Sequence, residues 1–79
     1  MVKFIAEKST FLYRDSTGRE HYRGAVVADT CAELAGVTVI RNVVLGFGSV
    51  ALCGKDGEVC MLMSDGKWYK QSTGTEVTA

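Results

Sequence analysis

The chain has no proline, one histidine, one tryptophan and three cysteines among 79 residues, and its nine basic side chains are balanced by nine acidic ones. Each scarcity closes a route to function. Zero net charge supplies no long-range field to draw in nucleic acid or an anionic membrane. The first 24 residues hold five Lys or Arg against three Asp or Glu, only a slight local excess. An odd number of cysteines cannot all pair within one chain, and a secreted scaffold this small normally carries a larger, even set. Cys31, Cys53 and Cys60 therefore read as reduced thiols. No N-terminal stretch combines a basic start with an apolar core of signal-peptide length, and the longest nearly apolar run, Val37 to Val50, is broken by Arg41, Asn42 and glycines. The reading is a protein without signal peptide or membrane span, resident in a reducing cytoplasm or in an assembly built there.

What remains is 47% hydrophobic and 23% charged, the composition of a globular chain. One small domain over residues 1–79 is expected. At this length it buries only about 60 to 65% of the surface its unfolded chain exposes. Such a thin core favours added burial from a staple, a metal or a partner subunit.

The strongest local signals lie in the last third. Asp56-Gly57 and Asp65-Gly66 separate the short runs Ser49 to Cys53, Glu58 to Met63 and Lys67 to Gln71. Asp-Gly between apolar runs marks a hairpin, because glycine accepts positive φ without a Cβ penalty and aspartate tolerates it. A three-stranded antiparallel meander follows. Upstream, Val2 to Ala6, Thr10 to Arg14 and Glu20 to Ala28 read as strands, with Asp15-Ser16-Thr17-Gly18 as the turn of an N-terminal hairpin. Thr30 and Glu33 fit a capping box and Gly36 a stop, which places one short helix near 30–35. Val37 to Leu45 suits a strand, or a loop tip at Arg41-Asn42, and Gly46-Phe47-Gly48 breaks the chain before the meander. Residues 72–79 are polar and expected to fray. The fold class is mainly β, an antiparallel sheet with an N-terminal hairpin, one short helix and the C-terminal meander.

Two-residue turns would set Cys53 opposite Cys60, Leu52 opposite Met61, Val50 opposite Met63, Trp68 opposite Met63 and Tyr69 opposite Leu62. One face then carries Val50, Leu52, Val59, Met61 and Met63, and the other Ala51, Cys53, Cys60 and Leu62. Both faces of the middle strand are apolar, so the second face needs a cover: the helix, the N-terminal hairpin or another subunit.

No catalytic or cofactor-binding constellation emerges. His21 lies in a strand with no nucleophile motif near it, and Gly46-x-Gly48 lacks the third glycine of a dinucleotide fingerprint, since position 51 is Ala. Opposed Cys53 and Cys60 at a hydrogen-bonded pair would splay and pack as small hydrophobes. A zinc site needs four ligands, commonly with a close Cys pair, and the spacing here offers none. Tyr13, Arg14, Arg19, Tyr22 and Arg23 form an aromatic and basic hairpin of the kind that stacks single-stranded nucleic acid, but Asp15 and Glu20 intervene, and a solvated hairpin face is favoured.

The segments Gly48-Ser49-Val50-Ala51-Leu52, Asp56-Gly57-Glu58-Val59-Cys60-Met61-Leu62 and Ser64-Asp65-Gly66-Lys67-Trp68, with Asp29-Thr30-Cys31-Ala32-Glu33-Leu34-Ala35 upstream, are similar to the C-terminal half of small structural proteins encoded in phage and prophage head and tail gene clusters. In those proteins an aromatic is more usual where Cys60 stands. The resemblance spans residues 29–71 and implies a virion-related role, in the bacterial cytoplasm or in a virion. The expected function is a non-enzymatic structural or assembly module without cofactor, self-associating or docking on a larger virion protein through Met61, Leu62, Met63, Trp68 and Tyr69. The alternative is a small single-stranded nucleic-acid-binding β domain using the 11–23 hairpin.

Overall fold

In the computed structural model, which describes residues 1–78, two long strands form a hairpin and the rest of the chain is laid against the second of them. Strands β1 (Lys3–Arg14) and β2 (Glu20–Ala28) pair antiparallel. Their turn is closed by Asp15, whose carboxylate accepts from the Thr17 and Arg19 N–H groups and from the Thr17 hydroxyl, while Gly18 takes φ +87°. A 3-10 helix (Cys31–Leu34) follows, then β3 (Val39–Ile40), β4 (Val43–Leu45), β5 (Val50–Cys53), β6 (Glu58–Leu62) and β7 (Trp68–Lys70). The sheet order is β3-β4-β2-β5-β6-β7, with β1 also paired to β2. The expected mainly-β class holds, as do the N-terminal hairpin and the meander.

The sheet is mixed where an antiparallel one was expected. Strands β4 and β5 both run parallel to β2, β4 beside Glu20 to Tyr22 and β5 beside Ala25 to Ala28. Gly46 to Ser49 steps the chain from one to the other. The Gly46 N–H donates to the Tyr22 carbonyl at 2.7 Å, and buried Ser49 accepts the Gly24 N–H through Oγ while donating to the Gly46 carbonyl. Arg41-Asn42 is a loop tip, joining Ile40 to Val43 in a hairpin, with Arg41 at φ +57°.

Strand β1 is continuous where two pieces were expected, and its register with β2 shifts twice, at a bulge between Ile5 and Thr10 and again between Phe11 and Tyr13. Ser9 closes that bulge, donating to the Ile5 carbonyl at 2.7 Å and accepting the Ala25 N–H at 3.0 Å. Such an insertion keeps pairing on both sides while bending the strand.

Both meander turns are longer than two residues, and the difference has unequal consequences. In the first, Cys53 faces Glu58, Leu52 faces Val59, Ala51 faces Cys60 and Val50 faces Met61. Gly54 and Lys55 N–H groups bond the Ala28 and Asp29 carbonyls instead of pairing with β6, so the turn starts earlier and spans residues 54–57. The slip is two residues, which leaves every side chain on its expected face. In the second, Leu62 faces Trp68 and Met61 faces Tyr69. Ser64-Asp65-Gly66 is a three-residue loop: Gly66 sits at φ +79°, Asp65 accepts the Lys67 N–H, and Met63 and Lys67 bond directly. That slip of one residue moves Trp68 to the inner face and Tyr69 to the outer.

The core lies on one side of the sheet. Val26, Ala28, Cys31, Leu34, Leu45, Ala51, Cys53, Cys60, Leu62, Trp68 and Val77 are buried, with Val2, Phe4, Ala35, Ile40 and Val43 packed around them. Leu34 brings the 3-10 helix onto this side. Glu33 caps it by accepting the Thr30 and Asp29 N–H groups at 3.0 Å each. The tail expected to fray folds back through Thr78 in the structure, with Glu76 bridged to Tyr69 and the Val77 N–H donating to the Trp68 carbonyl at 2.8 Å. Among the described tail residues Val77 alone is apolar and buried, so its burial holds the return.

Surface carboxylates stabilise these turns in a way that depends on acid. The Thr17 hydroxyl and then His21 hold Asp15 well below the usual range, the Tyr69 hydroxyl and the Lys67 N–H hold Asp65 down, and the Ser72 hydroxyl holds Glu58 down. A carboxyl whose folded pKa is depressed contributes stability that is complete above its unfolded pKa of about 4 and is lost as pH falls through the folded value. The urea midpoint is therefore expected to be flat from about pH 7 to 5 and to drop below about pH 4, with Asp15→Asn and Asp65→Asn flattening the drop.

Candidate functional site

Leu34 of the helix, Val77 of the tail and Ile40, Val43 and Leu45 of the β3-β4 edge all pack into the core on the inner side, and among the described residues no element is laid over the outer face. Register lines up its side chains in two rows. One row runs Ile5, Ala25, Val50, Met61 and Tyr69 across five strands. The next runs Val27, Leu52 and Val59, ending at Lys3 on β1. Leu52 is 49% exposed and Val59 40%, and the other members of both apolar rows are half-buried. Half-solvated antiparallel strands ordinarily alternate apolar with polar, so a two-row apolar face is a departure that calls for a cover.

Beside the rows, Met61, Met63, Asp65, Tyr69 and Gln71 line a shallow groove, with the Tyr69 hydroxyl donating to Asp65 at 2.6 Å. Three of the five residues expected to form an interaction surface thus converge. The other two do not belong to it: Leu62 and Trp68 are 2% and 1% exposed in the core, Trp68 because of the three-residue turn. The Trp68 indole N–H donates to the Val37 carbonyl at 2.7 Å, which satisfies it inside the chain. Leu52 and Val59 belong to the surface set instead. Their alternation in the sequence identified their face, but not that the face would stay uncovered.

The aromatic and basic hairpin is assembled differently from a nucleic-acid platform. Tyr22 turns inward, its ring edge-on to Phe4 and Phe11. Arg14 pairs with Glu20 at 2.6 Å, and Arg23 spends its Nε–H on the Phe47 carbonyl. Tyr13 is exposed but stacked on His21, with ring centroids 4.2 Å apart, and His21 in turn meets Asp15 at 2.9 Å. Arg19 is exposed in the turn, where its backbone N–H donates to the Asp15 carboxylate. Internal partners occupy most of the groups that phosphates and bases would need.

The third cluster is inside. Cys31 opens the 3-10 helix, Cys53 ends β5 and Cys60 lies in β6, all free and all buried. Cys53 and Cys60 are diagonal neighbours and not the opposed pair expected. Their Sγ atoms are 3.9 Å apart, and Cys60 lies 3.7 Å from Cys31. Burial pushes the Cys31 and Cys60 thiols up to about 11 and raises Cys53 as well. Cys31 and Cys60 are 29 residues apart in sequence, and nothing in their spacing announces the contact.

No helix among the described residues is long and apolar enough to cross a membrane. No family model matches the chain, and comparison with curated proteins and with solved structures gives no match.

Proposed function

We propose that the chain is a non-enzymatic assembly module that associates with a second copy of itself through the outer face of its sheet. The observation that carries this reading is the pair of apolar rows, Ile5-Ala25-Val50-Met61-Tyr69 and Val27-Leu52-Val59, left without a covering element among the described residues while the 3-10 helix and Val77 pack on the opposite side. Zero net charge removes the repulsion that would otherwise keep copies apart. A face on a sheet is self-complementary under a two-fold axis, the commonest arrangement for a small oligomer. The similarity of residues 29–71 to phage and prophage structural proteins is the ground for proposing that the assembly is virion-related, with a larger virion protein as the other candidate occupant.

Light scattering across micromolar concentrations is expected to report a mass above that of the 8.5 kDa chain. Leu52→Lys or Val59→Lys, each placing a charge in the middle of the face, should return it to monomer. Because both side chains are nearly half exposed in one copy, the monomeric variants should keep the wild-type circular dichroism spectrum. Single-stranded DNA should bind neither form with a salt-dependent affinity; such binding would favour the hairpin of Tyr13 and Arg19 instead.

A further inference from the structure

We propose that Cys31, Cys53 and Cys60 form a binding site for a thiophilic divalent cation of the zinc group. The inference is independent of self-association, since the three thiols lie on the inner side of the sheet.

Three separate elements deliver the sulfurs. The N-terminus of the 3-10 helix brings Cys31, the end of β5 brings Cys53, and β6 brings Cys60, and all three Sγ atoms lie within 4.8 Å of one another. A metal bound to thiolates at about 2.3 Å holds its sulfurs about 3.8 Å apart in tetrahedral and about 4.0 Å apart in trigonal geometry. The two separations of 3.7 and 3.9 Å match that spacing without movement of the backbone. Apolar packing alone would be served by Val or Ala at any of these positions; the structure instead points three soft donors at one volume.

The rim of the site supplies what a metal would need next. Asp56 lies in the 54–57 turn, three residues beyond Cys53, and its Oδ2 accepts the Cys31 N–H at 2.7 Å, which sets a carboxylate beside the Cys31 thiol. The carboxylate lies outside the cluster of three sulfurs, so it would complete four-coordination through a bridging water. Lys70 stands cross-strand from Cys60 and its charge reaches Asp56, offsetting the negative charge that three thiolates would bring. Residues 54–57 are exposed, so the turn above Cys31 is the entry path. Binding breaks three S–H bonds, forms three metal–sulfur bonds and releases three protons to solvent, with no change of oxidation state.

The test is titration of the metal-free, fully reduced wild-type protein with Cd2+ in a non-thiol reductant. One equivalent should raise a sulfur-to-cadmium charge-transfer band that saturates at a 1:1 ratio, release protons into a weakly buffered solution and raise the melting temperature. Zn2+ in large excess should displace it with loss of the band. Cys31→Ala and Cys53→Ala, both volume-reducing but apolar, should weaken Cd2+ binding at least 100-fold, and Asp56→Asn by roughly 10-fold. Should a cysteine variant fail to fold, the wild-type stoichiometry and proton release still decide. Absence of the band and of any thermal shift at ten equivalents, or a band that persists unchanged in Cys53→Ala, would overturn the proposal and leave the thiols as core packing.

Discussion

Trp68→Ala is expected to destabilise the domain by about 3 to 5 kcal/mol, measured by urea unfolding followed through circular dichroism. The indole is 1% exposed and packs among Leu34, Leu62 and Val77 in the core, so truncation removes the largest buried side chain in the chain. It also orphans the Val37 carbonyl, which receives the indole N–H at 2.7 Å. A chain of this length has a total stability of about 4 to 12 kcal/mol, so the variant sits at the edge of unfolding at room temperature. Trp68→Phe keeps most of the volume and loses the hydrogen bond, and should cost roughly 1 to 2 kcal/mol. A Trp68→Ala protein with an unchanged midpoint would mean that the indole is on the surface, the placement that a two-residue turn at Asp65-Gly66 would produce.

The second large effect is at Gly24. A Cβ there would lie 2.1 Å from the Ser9 Oγ, 2.3 Å from its Cβ and 2.4 Å from its Cα. Overpacking ordinarily costs about 1 to 3 kcal/mol by displacing side chains, but here part of the collision is with backbone, and the bulge of β1 would have to open. Gly24→Ala should therefore cost about 3 kcal/mol or more. Opening the bulge would also remove the Ser9 bridges to Ile5 and Ala25. The double variant Ser9→Gly with Gly24→Ala separates the causes. It should remain destabilised, because the collision with the backbone at position 9 survives; full recovery would assign the clash to the serine side chain alone.

These two sites mark where the sequence was and was not legible. The Asp-Gly pairs locate both meander turns, because positive φ at Gly57 and Gly66 is a local requirement that the residue type declares. Turn length is a different matter. It depends on the Ala28 and Asp29 carbonyls holding Gly54 and Lys55, and on the Asp65 side chain closing onto Lys67, interactions that counting along the chain does not contain. The first hairpin slipped by an even number and its faces survived; the second slipped by one and Trp68 changed sides. Parallel pairing of β2 with β4 and β5 was not legible either. Both strands read as β-formers, but their partner is set by the hydrogen bonds that tie Gly24, Gly46 and Ser49 together. Gly24 did interrupt a run of strand formers, a signal that a bulge or a close approach lies opposite.

Site residues followed the same division. Met61, Met63 and Tyr69 come together as expected because they are neighbours on adjoining strands. The thiol cluster was hidden, since its members come from a helix and two strands joined only by the fold. The apolar character of both faces of β6 was plain from its unbroken apolar run, and the structure shows which elements cover one of them. What covers the other is the substance of the proposal.

The measurement that tests this most directly is a methyl-resolved NMR dilution series on the wild-type protein. As concentration rises from low to high micromolar, the methyl signals of Val50, Leu52, Val59 and Met61 are expected to shift together along a single binding curve, while those of Val26, Leu34 and Val77 stay in place. Signals that are all invariant over that range, with the tumbling time of a monomer throughout, would contradict the account.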